Sequence, residues 1–214
     1  MFWPNAPHTS LKPALLVRKP SSNSDPTVAQ KWRVARYASS SRGKSAPLPL
    51  DETRLEEIAL RYAARYATTR AKLNAYLRRK LTERGWAGER PADPDAIVAR
   101  FAARGYVDDA GYAAMKGAAL GRRGYGARRV GEALRADGIE ETDLAPVRDT
   151  ARADRWAAAE AFAKRKRIGP FAREPAERDV REKQIAAFLR AGHDFATART
   201  WVDAEPGEVP GAPD

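Results

Sequence analysis

The side chains that could act chemically in this sequence are mostly cations, and they come in groups. Arg78, Arg79 and Lys80 form one group. Arg122, Arg123, Arg128 and Arg129 form a second around Gly124-Tyr125-Gly126, and Lys164, Arg165, Lys166 and Arg167 form a third. Guanidinium and ammonium groups at this density suit phosphate oxygens or an acidic protein surface. The groups could lie on one surface as a binding stripe for a partner or for DNA. They could equally be three unrelated solvated faces, and their spacing leaves both readings open. The conspicuous carboxylate pair, Asp108-Asp109, is a type that can do acid–base work or hold a divalent cation. It has no second acidic partner nearby and stands directly before an apolar helical pattern. It therefore reads as a helix cap.

Other chemistry lacks its residues. There is no cysteine, which excludes disulfides, thiolate catalysis and thiolate-bound metals. The two histidines, His8 and His193, are 185 positions apart, and neither has a partner at metal-ligand spacing. His193 follows a helix-ending glycine and reads as a partly packed boundary residue. Gly121-Arg-Arg-Gly124-Tyr-Gly126 is glycine-rich but follows no strand, so it is neither a P-loop nor a dinucleotide fingerprint. No catalytic constellation, metal or cofactor is expected. Trp32 and Tyr37 among Lys31, Arg33 and Arg36 could stack on exposed bases, although chance aromatics in an unstructured tail are the preferred reading.

The elements that must position these groups are helices. Of the 214 residues, 43% are hydrophobic, much of that alanine, which favours helix and buries little area. Strand-like alternation is nearly absent. One ending recurs: Leu81 to Gly85-Trp86, Leu134 to Gly138-Ile139, and Phe188 to Gly192-His193. The glycines are 53 and 54 residues apart. Self-similarity at this period predicts helical repeats, each with room for three short helices. The expected division is a disordered basic extension over 1–50, repeats over 51–105, 106–150 and 151–203, and a disordered acidic tail over 204–214. Net charge is +11, of which 51–203 carries +7, so the basic excess is not confined to the tails. No apolar stretch approaches the roughly 18 residues of a membrane span.

Within the repeats, Thr53-Arg-Leu-Glu56 matches a capping box and Asp93-Pro94 an N-cap with proline following. Apolar faces are expected at Leu55, Ile58, Tyr62 and Tyr66; at Leu73, Tyr76, Leu77 and Leu81; at Ile97, Val98 and Phe101; at Tyr112, Met115 and Ala119; and at Ala127, Val130 and Leu134. Beyond a short helix near 143–150 they continue at Trp156, Ala159 and Phe162, at Val180, Ile185, Phe188 and Leu189, and at Phe195, Ala198, Trp201 and Val202.

Gly105-Tyr-Val-Asp108-Asp109-x-x-Tyr112-Ala113, followed by Arg-Gly124-Tyr-Gly126-x-x-Arg129-Val130 and Leu134-x-x-x-Gly138-Ile139, resembles the RecX family of recombinase regulators. Thr69-Arg-Ala-Lys72-Leu73 stands where that family usually has Ser-x-x-Glu-Leu. Lys72 cannot close a capping box, so a looser helix start is expected there. The resemblance covers about 53–203. It implies an all-α fold of three tandem three-helix repeats in an elongated curved array. It also implies a non-enzymatic cytoplasmic protein that binds the RecA filament on single-stranded DNA and inhibits its recombinase and ATPase activity; a monomer is expected. DNA repair, recombination and the SOS response would be affected. Direct contact with single-stranded DNA would be weak and salt-dependent. Asp108, Asp109, Gly124, Gly126, Leu134 and Gly138 would be structural, with the three cationic groups touching partner and DNA. The alternative is a basic helical nucleic-acid-binding protein with no recombinase partner.

Overall fold

A computed structural model describes residues 48–212; His8, Trp32, Tyr37 and nearly all of the expected 1–50 extension lie outside them. Among the described residues there are nine α-helices and no strand: α1 Glu52–Arg65, α2 Arg70–Arg84, α3 Pro94–Ala103, α4 Asp109–Arg122, α5 Ala127–Ala136, α6 Glu141–Ala153, α7 Arg155–Lys166, α8 Arg178–Ala191 and α9 Phe195–Asp203. Side-chain caps set several starts. Asp93 accepts the Ala96 N–H before Pro94, Asp108 accepts the Gly111 N–H, and Asp194 accepts the Thr197 N–H. The capping box at Thr53 does not form. Asp51 caps α1 two residues earlier, and Glu56 instead pairs with Arg100 of α3. The three recurring glycines all take positive φ, at 77°, 78° and 96° for Gly85, Gly138 and Gly192. That backbone disfavours any residue with a Cβ, which explains why the pattern recurs.

The helices bury three apolar clusters. The first is built by α1 to α3 around Leu55, Leu73, Leu77, Ile97 and Phe101. The second, from α4 to α6, centres on Val130, Leu134, Ile139 and Leu144. The third, from α7 to α9, centres on Phe162, Phe188 and Trp201. Each fully buried Leu or Phe is worth about 1.5–3 kcal/mol. The first core extends beyond its helices. Leu50 is fully buried and its backbone pairs with Gly85 and Ala87 across the end of α2.

Several sequence expectations are corrected. In α4 the buried stripe is Asp109, Ala113 and Gly117, while Met115 is 55% exposed. The reason is close packing: a Cβ on Gly117 would run into Val147 of α6, so small residues rather than large ones face inward. Tyr66, Val180 and Phe195 are also exposed, since each stands at or near a helix end beyond the reach of its core. The helix expected near 143–150 is longer, Glu141–Ala153; Pro146 removes one backbone donor, but buried Leu144 holds the element in place. His193 is fully packed, between Phe162 and Phe188. The acidic tail, expected to be without structure, lies against the third core over its described residues. Gly207 N–H donates to the Pro170 carbonyl at 2.9 Å, and Trp156 Nε1–H donates to that of Pro210 at 3.2 Å.

The cores meet at two junctions that repeat one contact. At the first, the N-cap of α2, Thr69, donates its hydroxyl proton to the Asp137 carbonyl at 2.8 Å, and Gly138 sits on Ala71. At the second, the N-cap of α5, Gly126, donates its N–H to the Ala191 carbonyl at 2.9 Å, and Gly192 sits on the Arg129 backbone. In both, the start of one core's middle helix holds the residue before the next core's helix-ending glycine.

Candidate partner and nucleic-acid interface

The first cationic group lies on α2 among acidic neighbours. Arg78 pairs with Asp95 at 2.6 Å, and Arg79 and Lys80 both reach Glu83, at 3.3 and 2.5 Å. Arg79 and Lys80 also stand over Tyr76, which stacks on Tyr62 with centroids 4.2 Å apart. Exposed pairs of this kind are worth about 0–1 kcal/mol, so these cations can be drawn to another anion at small cost.

The second and third groups meet at Tyr125. Arg123 and Arg165 stand over its ring at 5.6 and 5.4 Å, and Arg165 donates to the Arg123 carbonyl. Arg165 also lies over Phe162, and Lys164 lies over Phe171 while pairing with Glu160 at 2.8 Å. Gly124 permits this corner: a Cβ there would come within 2.5 Å of the Phe162 backbone nitrogen. Lys166 ends α7 and Arg167 follows it with φ 55°, both exposed. Arg122 is exposed beside an apolar groove of about 590 Å³ lined by Gly117, Val147 and Ala158. Arg128 and Arg129 point elsewhere. Both bond Glu132, Arg128 also bonds the Leu189 carbonyl, and Arg128 lines a different cleft. The structure thus joins Arg123 with Arg165, while 78–80 and 128–129 occupy settings of their own.

The acidic pair of the sequence divides its work. Asp108 caps α4 and is exposed, whereas Asp109 is 5% exposed and accepts both the Arg70 backbone N–H, at 2.9 Å, and its Nε–H, at 3.0 Å. Asp109 therefore closes the start of α2 from the next core. The looser start expected at Lys72 does not occur. Thr69 accepts the Lys72 N–H, and the Lys72 ammonium bonds the Tyr112 hydroxyl at 2.7 Å and Asp137 at 2.9 Å. Lys116 and the Tyr112 hydroxyl also donate to Asp137. Burial alone would raise the Asp137 carboxyl, but these three donors outweigh it and bring its pKa to about 2.

Two exposed aromatics were missed in the sequence. Tyr66 is 49% exposed with Arg65 over its ring, and Tyr106 is 52% exposed against Phe101. Helical spacing placed Tyr66 inside, and only the end of α1 at Arg65 puts it on the surface. Among the described residues no cluster of His, Cys, Asp and Glu could hold a metal ion, and no helix is long and apolar enough to cross a membrane.

No protein-family model matches the chain. It is 34% identical over 173 residues to "Regulatory protein RecX" of Myxococcus xanthus (strain DK1622), a match spanning 77% of this chain and 92% of that one. Its fold is similar to the crystal structure of RecX from Lactobacillus salivarius, with a TM-score of 0.52 and 17% identity over 70% of this chain and 93% of that one.

Proposed function

The chain belongs to the RecX family of regulatory proteins, and from that premise we propose that it is a non-enzymatic regulator of the RecA recombinase. It binds the RecA filament on single-stranded DNA and lowers its ATPase and strand-exchange activity, with effects on DNA repair, recombination and the SOS response. The observation that carries this reading is a colinear match over 92% of a regulatory relative. The cationic surface supports it. Arg123 and Arg165 over Tyr125, with exposed Arg122, Lys164, Lys166 and Arg167 on the same two elements, offer cations and aromatic rings together, suited to an acidic protein surface or to weak, salt-dependent contact with DNA. Arg78, Arg79 and Lys80 add a second patch. The reading takes the chain as three tandem three-helix repeats at 51–105, 106–150 and 151–203 in a curved array, a tandem arrangement that the repeated junction contact supports, and as a cytoplasmic monomer.

The test is RecA ATPase on single-stranded DNA, titrated with this protein at fixed salt. The expected result is inhibition at a small fraction of the RecA concentration, weakened several-fold by Arg123→Glu with Arg165→Glu. Inhibition only once the protein saturates the DNA would instead make it a basic helical nucleic-acid binder without a recombinase partner.

A further inference from the structure

Between the second and third cores lies a cleft of about 520 Å³, floored by the second junction and lined by Arg128 together with arginines not yet described. Five guanidinium groups line it: Arg128, Arg135, Arg148, Arg152 and Arg155. They come from α5, α6 and the first residue of α7, so only the tertiary fold gathers them. Of the described residues lining the cleft, Asp194 is the sole carboxylate. It caps α9, accepting the Thr197 N–H at 2.7 Å and hydroxyl at 2.8 Å, and its charge also attracts Arg155, so it offsets one of the five cations. Four of the arginines have carboxylate partners that do not line the cleft: Glu132 for Arg128, Glu141 for Arg135 and Arg148, and Asp149 for Arg152. Glu141 and Asp149 are 59% and 67% exposed, so those pairs hold their cations weakly.

Two further observations point to an absent anion. The N-terminus of α5 opens on the cleft through Gly126 and Ala127, and Gly126 brings no side-chain acceptor to its first-turn N–H groups. Arg148 Nε is buried without a hydrogen-bond partner among the described residues, a donor lacking its acceptor. His193, 5% exposed, also lines the cleft. Its Nε2 donates to the Gly124 carbonyl at 3.1 Å, which leaves Nδ1 an acceptor, so this ring packs the wall of the cleft and offers an anion no proton. Like charges converging on one cleft repel unless an anion joins them.

We propose that this cleft is a phosphate-binding site. The guanidinium forks pair with phosphate oxygens, and the α5 N–H groups take the same anion. Five arginines exceed what one phosphate group can use, so the ligand carries at least two: a stretch of nucleic-acid backbone or a pyrophosphate-bearing compound. The site does not rest on the recombinase reading.

The test measures binding of a fluorescent 12-nucleotide oligo-dT and of inorganic pyrophosphate to the full-length protein. Three proteins are compared: wild type, Arg152→Gln with Arg155→Gln, and Arg178→Gln with Arg199→Gln. The last pair makes an equal charge change on exposed sites outside the cleft. The cleft variant should bind at least tenfold more weakly and the other less than about twofold. For the oligonucleotide the slope of log K against log salt should become shallower by about 1.4, the value for two lost contacts on a single strand. Loss with oligo-dT assigns the phosphate to a nucleic-acid backbone; loss with pyrophosphate alone assigns it to a free phosphate compound. Equal loss in both variants, or loss in neither, overturns the proposal. Arg148→Gln, read by the same assay, gives an independent second measurement. No recombinase is present, so failure here and failure of the regulatory reading are separate events.

Discussion

The two junctions between cores share one topology and use opposite chemistry. The first is ionic: Thr69, Arg70 and Lys72 of one core meet Asp109, Tyr112, Lys116 and Asp137 of the next. The second is made by backbone. Gly124, Gly126 and Gly192 bring main chains together, with neutral His193 as the polar side chain buried between aromatic rings. A repeated contact therefore constrains position, not side-chain type. A hydroxyl reaching a carbonyl and an N–H reaching a carbonyl do the same geometric work. What differs is tolerance: side-chain networks can rearrange around a change, whereas touching backbones cannot.

The strongest test of that contrast is Gly126→Val. Its Cβ has no room against the Gly192 carbonyl, and backbone must move to admit it. A loss of about 3 kcal/mol or more in urea unfolding is expected. A change under about 1 kcal/mol would mean that the second junction yields as readily as the first. Asp109→Ala should cost less, about 2 kcal/mol. It removes a buried acceptor, but the Arg70 side chain it leaves is 41% exposed and can find water. A loss matching that of Gly126→Val would erase the distinction.

The pH dependence gives the most specific test, because each junction should weaken over its own pH window. The Asp137 carboxyl takes its proton at a lower pH folded than unfolded. Its contribution is therefore complete above 3.8 and fades as pH falls toward 2. Asp137→Asn should flatten unfolding stability by about 2 kcal/mol over that range, relative to the unsubstituted chain. His193 behaves in the other sense. Burial lowers its pKa below 6.5, outweighing the Gly124 carbonyl and Asp194, so the unfolded chain binds the proton first and stability declines as pH drops below 6.5. His193→Gln should remove that decline and leave the acid limb unchanged. If one substitution alters both windows, the junctions are coupled rather than separate.

Much of this was legible beforehand wherever local rules apply. The helix ends at Gly85, Gly138 and Gly192 and the caps at Asp93 and Asp108 depend on residues within one turn. The face of α4 was misread because its partner, Val147, selects small residues, and nothing within α4 reveals how near α6 will come. Asp109 looked like half of a cap pair. Its carboxylate in fact closes the start of α2, 39 positions away.

By itself, then, the sequence determined most of the helices, their glycine ends, the period near 53 residues, the basic excess and the resemblance to a regulatory family. These follow from composition and short-range spacing, where each residue answers to neighbours a turn away. Tertiary structure alone decided which cations meet. It set Arg123 beside Arg165, committed Lys72 and Lys116 to Asp137, and drew five arginines into one cleft. Charge is long-ranged and carries no periodic signature, so its pairing is settled only when packing brings distant helices together.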